Sequence, residues 1–167
     1  MKKIELEFKF PVGNAQKLFE KIGGAPPKIA YILDEVYGSG KGFKEEKIRK
    51  RLVFSGRNKE IIYEKTKWLD GKIKKVRERK IKTLSKNLKL ENSYEKIRFL
   101  YIRQGYEICI DFYPIGVFCE IEGKKKNIKK IAKKLGFNLK DNIEDNIDAY
   151  YVKKFGEEKA HWRFGSF

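Results

Sequence analysis

The chain has only two cysteines, Cys109 and Cys119, and one histidine, His161, among 167 residues. So few thiols cannot build a disulfide framework or a cysteine-rich zinc site, and both read as small buried apolar residues. His161 lies in Ala160-His161-Trp162-Arg163-Phe164, with no serine or cysteine pattern that would pair it with a nucleophile, and it reads as structural. No apolar run approaches the ~20 residues needed to span a bilayer, and the amino-terminal stretch has no signal-peptide core. A soluble, cytoplasmic protein without membrane association is expected. Acids are also in deficit: 23 Asp and Glu stand against 40 Lys and Arg, a formal charge of +17. That excess points to an anionic partner or substrate, with nucleic acid, phosphates and anionic lipid as the classes. Any chemistry must rest on carboxylates, lysines and arginines.

What is present begins with Ile4-Glu5-Leu6-Glu7-Phe8-Lys9-Phe10. In a strand, Glu5, Glu7 and Lys9 project from one face and the apolar residues from the other. Two carboxylates one strand repeat apart can share a divalent cation. The plainer alternative is an amphipathic strand with its charged side in water.

Ala15, Leu18, Phe19 and Ile22 then form one helical stripe, stopped by Gly23-Gly24. After Pro26-Pro27, residues 29–37 read as extended and Gly38 to Gly42 as a flexible loop, without the spacing of a P-loop. Strands are expected over 47–54 and 60–68 around the turn Ser55-Gly56-Arg57-Asn58, with a second turn at Asp70-Gly71. Residues 73–81 alternate as a charged strand, and 83–92 form a polar connection without assigned structure. Strands follow over 94–103, 106–112 and 117–122. Ile128, Ile131, Ala132 and Leu135 repeat the helical stripe, closed by Gly136, and the lysines between them read as a solvated face. A last helix is expected over 144–155.

Ile4-Glu5-Leu6-Glu7 leads into a helix ending Lys21-Ile22-Gly23, and Cys119-Glu120-Ile121-Glu122 leads into one ending Lys134-Leu135-Gly136. A duplicated strand-helix unit accounts for this echo and places two carboxylate pairs at related positions. Other strands repeat the charged alternation: Arg49 with Arg51, Tyr63 with Lys65 and Lys67, Lys96 with Arg98, and Glu120 with Glu122. If the sheet closes into an antiparallel barrel with helices outside, these faces line a charged tunnel. Cations alone would repel there, whereas mixed acids, a metal and a polyanion offset the repulsion. Arginines suit phosphate oxygens as planar forks, lysines act as point charges, and paired glutamates offer hard oxygens to Mg²⁺ or Mn²⁺.

The segment Glu5-Leu6-Glu7-Phe8-Lys9 resembles the amino-terminal ExExK signature of the CYTH superfamily, the triphosphate tunnel enzymes that include class IV adenylyl cyclases and thiamine and inorganic triphosphatases. Glu35-Val36-Tyr37, Lys47 to Arg51, Tyr63 to Lys67, and Asp111 followed by Pro114, Gly116, Phe118, Glu120 and Glu122 agree in order and spacing. Glu35 stands where the family usually has aspartate. The resemblance implies an α+β fold built on a closed eight-stranded antiparallel β-barrel, the triphosphate tunnel, with flanking helices. It covers residues 1–155, leaving 156–167 as an extension that packs on the barrel or on a partner, with Trp162, Phe164 and Phe167 as a contact surface unless they fold back.

Carried over by position, Glu5, Glu7, Glu120 and Glu122 are the expected metal ligands, with Mg²⁺ or Mn²⁺ as cofactor. Lys9, Arg49, Arg51, Lys65, Lys67 and Arg98 are the expected triphosphate-binding cations. Glu5, Glu7, Lys9 and Asp111 are the expected catalytic group. The implied activity is metal-dependent attack on a nucleotide or other triphosphate, by class IV cyclase chemistry or by hydrolysis, in a monomer or homodimer. The alternatives are a non-catalytic RNA or polyphosphate binding module and an RNA 5′-triphosphatase. One geometric expectation is independent of the family. If Asp111 and Glu120 share a face across the hairpin at Pro114, Cys109 shares it too, Cys119 lies on the other, and the thiols do not pair.

Overall fold

The computed structural model describes residues 6–24, 27–38, 46–67, 76–80, 87–143, 147–156 and 161–165. Glu5, the loop after Gly38 and the Asp70-Gly71 turn lie outside them, as do the side chains of Lys65 and Lys67.

Strand β1 (Leu6–Pro11) runs into helix α1 (Ala15–Ile22), which starts where the Asn14 side chain accepts a hydrogen bond from the Lys17 amide at 2.9 Å. The central strands are β2 (Lys28–Gly38), β3 (Glu46–Ser55), β4 (Asn58–Lys67) and β5 (Val76–Lys80). Then come β6 (Lys89–Arg103), β7 (Tyr106–Tyr113) and β8 (Gly116–Gly123). Helix α2 (Lys125–Leu135) follows β8 and ends at Gly136, whose φ of 92° is left-handed and lets the Phe137 amide reach back to the Ala132 carbonyl. Helix α3 (Ile147–Phe155) and a two-residue strand, β9 (His161–Trp162), complete the described chain.

The strands form one sheet in the order β1-β8-β7-β6-β2-β3-β4-β5, antiparallel at every step, with β9 joined parallel to β6. The eight antiparallel strands of the sequence reading are therefore present. The path runs from β1 to β5, and among the described residues no pairing joins those two ends. At Lys9 the outer edge of β1 is bonded instead to the chain after α2: the Lys9 amide donates to Asn142 Oδ1 and the Ile143 amide to the Lys9 carbonyl.

The two strand-helix units meet directly. β1 pairs antiparallel with β8, and α1 contacts α2. Alternation then sorts the residues. Phe10, Ile108, Ile110, Cys119 and Ile121 face the helices and pack with Leu18, Ile128, Ala132 and Leu135 in the main core. Their neighbours in sequence face the other way. Cys109 pairs with Glu120 and Ile110 with Cys119, so the thiols occupy opposite faces and are both free, as the alternation requires.

Two elements differ from the sequence reading. β6 begins at Lys89 rather than Tyr94, because β2 continues to Gly38 and keeps pairing through a register shift at Val36/Tyr37. β9 has no periodicity to announce it. It occupies the part of β6 that extends beyond β7, pairing His161 with Ser93 and Trp162 with Tyr94. Trp162 is fully buried there, whereas Phe164 is 44% exposed.

Candidate active site

The face away from the main core carries charge in cross-strand rows. In the outermost described row, Glu7 of β1, Glu122 of β8 and Glu107 of β7 are directly opposite one another. The next row is Lys9, Glu120 and Cys109, and one repeat further in, Phe118, Asp111 and Arg98 align. Burial rises along this direction. The Glu7 side chain is 37% exposed, Glu120 12%, and Asp111 not at all. The deep end is covered by Tyr113, Phe118, Ile147 and Trp162, with Tyr94 and Tyr150 against them, so α3 and β9 cap this end of the face.

Ion pairs knit the rows together. Lys9 Nζ lies 3.0 Å from Glu120 and 3.3 Å from Glu7. Arg98 donates through Nε and Nη2 to the two oxygens of Asp111, at 2.6 and 2.5 Å, and also through Nη2 to Glu120. Lys96 Nζ donates to Asp111 Oδ2 at 2.6 Å and to the Tyr113 hydroxyl at 3.0 Å. Further around the sheet, Arg51 grips the fully buried Asp34 through Nε and Nη2 at 2.7 and 2.8 Å. Arg49 Nε donates to Glu64 at 2.9 Å and Lys47 bonds Glu91 at 2.5 Å. Arg51 and Arg98 thus hold carboxylates with one edge of the guanidinium. Among the described residues their Nη1 groups donate to no protein atom.

Electrostatics follow from this packing. Burial alone would raise the Glu120 carboxyl, but Lys9, Lys96 and Arg98 outweigh it and hold the group well below the ordinary 4.5. Asp34 is likewise held below its ordinary 3.8: burial pushes it up, and Arg51 pulls it down further. Lys9 shows the same balance in mirror image, burial opposing and Glu120 and Glu7 raising it. Lys96 behaves differently. Burial and the adjacent Arg98 push its ammonium below 10.5 despite Asp111. Burial pushes the Cys109 thiol up to about 12, which leaves it an inert neighbour of Glu120.

Of the expected site residues, Glu7, Lys9, Arg98, Asp111, Glu120 and Glu122 lie on this one face in adjacent rows, and Arg49 and Arg51 continue it on β3. Lys65 and Lys67 are in register with Ile48 and Glu46, the positions that alternate with Arg49. Three contributors carry no role in the sequence reading. Lys96 is 3% exposed between Asp111 and Tyr113, and Glu64 holds Arg49. Asp34, rather than Glu35, is the carboxylate on the charged face. Glu35 pairs with Lys50 on the opposite side. The unbroken apolar run before Asp34 hides its phase, and only Arg51, directly opposite it on the neighbouring strand β3, marks it.

The donor chemistry fits a hard divalent cation. The Glu7, Glu122 and Glu107 row sets three carboxylates directly opposite one another, hard oxygens of the kind such a cation takes. Mg²⁺ usually takes one or two carboxylates and fills the remainder with water and phosphate oxygens, and Glu7, Glu122 and Glu120 can supply that number. Among the described residues, no group of three or more metal-ligating side chains is already gathered. No described helix is long and apolar enough to cross a membrane.

No family model matches the sequence, and no curated protein sequence matches it. The fold has clear relatives among solved structures. A Pyrococcus horikoshii protein superposes with a TM-score of 0.70 at 20% identity, over 90% of this chain and 99% of that one. A Vibrio parahaemolyticus protein described as a candidate adenylate cyclase gives 0.69 at 11% identity, over 89% and 98%. A Hippeastrum candidate adenylyl cyclase, described as having a dominant triphosphatase activity, gives 0.55 at 12% identity, over 92% and 95%. The fold of this chain is that of these three proteins.

Proposed function

We propose that the chain is a metal-dependent enzyme acting on a nucleotide or other triphosphate. It either hydrolyses the substrate or, from ATP, forms cyclic AMP and pyrophosphate. The observation that carries this reading is the meeting of Lys9, Lys96 and Arg98 with Glu7, Asp111, Glu120 and Glu122 on one face drawn from both ends of the chain. The reading includes closure of the strand path into a tunnel. Asp34, Asp111, Lys96 and Glu64 are all buried on a face that, among the described residues, helices and β9 cover only at one end, and burial of this kind supports a sheet that curls over the rest.

Within that space the carboxylates act as orienting groups. Asp34 and Asp111 fix the guanidinium planes of Arg51 and Arg98, leaving each Nη1 to donate to phosphate oxygens, where planar donors stabilise the charge of phosphoryl transfer. Lys9 supplies a point charge beside them. Lys96, whose ammonium burial and Arg98 push below its ordinary 10.5, is the amine suited to accept a proton from the attacking water or hydroxyl. Glu7, Glu120 and Glu122 would hold Mg²⁺ or Mn²⁺, whose contribution is neutralisation of phosphate charge. Hydrolysis is the first of the two outcomes, supported by the triphosphatase activity described for the Hippeastrum neighbour.

The test is product analysis with ATP, tripolyphosphate and thiamine triphosphate in the presence of Mg²⁺ or Mn²⁺. Phosphate release or cyclic AMP that disappears with chelator supports the reading, and no turnover of any of the three removes it.

A further inference from the structure

Among the described residues, the face that forms the candidate site carries no excess of positive charge. There, among the described residues, Lys9, Lys47, Arg49, Arg51, Lys96 and Arg98 are met by Glu7, Asp34, Glu64, Glu91, Asp111, Glu120 and Glu122. Six cations meet seven carboxylates, with Glu107 as an eighth at the open edge of the same face, so the described part of that face has no net positive charge before any ligand enters. The surplus of cations among the described residues therefore lies elsewhere.

A large share of it lies on α2. Lys124, Lys126, Lys129, Lys130, Lys133 and Lys134 are all exposed, and none has an ion pair. The contrast with the interior is sharp, since every cation named there is paired. The helix also lacks an acid in its first turn and a side-chain cap, so Lys126 adds to the positive end of the helix dipole instead of offsetting it. A helix shaped only for stability would place an acid there. Its apolar stripe, Ile128, Ala132 and Leu135, is already buried against the sheet, and the exposed side has no aromatic or large aliphatic residue.

We propose that the exposed face of α2 is a docking surface for the phosphate backbone of duplex nucleic acid, on the opposite side of the sheet from the candidate site. Compact ammonium groups spread over ~15 Å along the helix match closely spaced phosphates and need no groove-reading side chains. A membrane surface fits less well, because an interfacial helix buries an apolar face in lipid and α2 has already used its own. A single strand fits less well because no exposed ring on this face can stack with bases. Binding is therefore insensitive to sequence and steeply dependent on salt.

The experiment is fluorescence anisotropy of a labelled DNA duplex of about 20 base pairs, titrated with the intact protein between about 50 and 200 mM salt. The triple variant Lys126→Glu, Lys130→Glu, Lys133→Glu is compared with Arg57→Glu, Lys59→Glu, Lys153→Glu, which changes net charge equally at exposed sites elsewhere. The helix variant should weaken binding roughly tenfold or more and flatten the logarithmic salt slope by about 2 to 3, while the control loses little. A matching Lys→Gln triple, checked for an unchanged melting temperature, should show the same order of effect if folding is intact. Absence of duplex binding by the wild type at the lowest salt overturns the proposal. So do equal losses in the two triple variants, or tighter binding to phosphatidylserine vesicles than to the duplex.

Discussion

Glu7 and Glu122 are directly opposite each other on β1 and β8, one from each end of the chain, on the face that also carries Lys9 and Glu120. Like charges at a direct cross-strand position destabilise the pair, and a divalent cation reverses the sign of that contribution. Mn²⁺ or Mg²⁺ should therefore raise the melting temperature of the wild type by a few degrees. In Glu7→Gln, Glu122→Gln the response to metal should vanish. Thermal scans at matched ionic strength check both outcomes.

Asp34 and Glu35 are adjacent in sequence and on opposite faces, which makes them a paired test of the register. Asp34→Asn breaks the bidentate pair between the fully buried Asp34 and the partly buried Arg51 and should cost about 3 kcal/mol or more. Glu35→Gln loses a part-exposed contact with Lys50 and should cost no more than about 1 kcal/mol. Equal costs in urea unfolding would contradict the assignment of faces.

The depressed carboxyls of Glu120 and Asp34 also set the acid response. A carboxyl titrating lower in the folded chain than its ordinary 4.5 or 3.8 contributes stability that is present above those values and is lost as pH falls toward the folded pKa. The unfolding free energy should therefore hold from neutral pH to about 5 and then decline progressively. Glu120→Gln should show a shallower decline. An unfolding series in urea across this range measures it.

Lys96 has the opposite sense. Its proton is held less firmly than in an unfolded lysine, so the neutral form gains population below 10.5. Catalysis that uses this amine as base should rise with pH toward that limit. Lys96→Arg, which keeps the charge, should lose most of the activity and flatten the rise. The pH profile of kcat separates this from a merely structural effect, which would lower the curve without changing its shape.

Much of this site was legible before any coordinates, and for one physical reason: two-residue alternation with unlike classes on the two faces. Glu7, Lys9, Glu120 and Glu122 sit in stretches where charged and apolar residues strictly alternate, so their common face could be read directly, whereas Asp111 follows the apolar Ile108-Cys109-Ile110 and was marked by its place in the family resemblance. Asp34 could not, since Tyr31-Ile32-Leu33 removes the alternation and the phase is set by pairing with β3. Lys96 was visible beside Arg98, but its role depends on being enclosed by Tyr113 and Asp111, which is a tertiary fact. Strand β9 is two residues long and exists because β6 outruns β7. The charge total was legible too, but its location was not: the acids that neutralise the candidate site are distributed over seven strand positions.

The most direct test of the central claim is calorimetric titration of tripolyphosphate, with Mn²⁺ present, into the wild type, Arg98→Gln, Glu120→Gln and the exposed control Lys59→Gln. Saturable binding by the wild type and the control, lost or weakened at least tenfold in both site variants and in chelator, is the result the account predicts. Binding that survives in Arg98→Gln and Glu120→Gln, or that falls equally in Lys59→Gln, would contradict it.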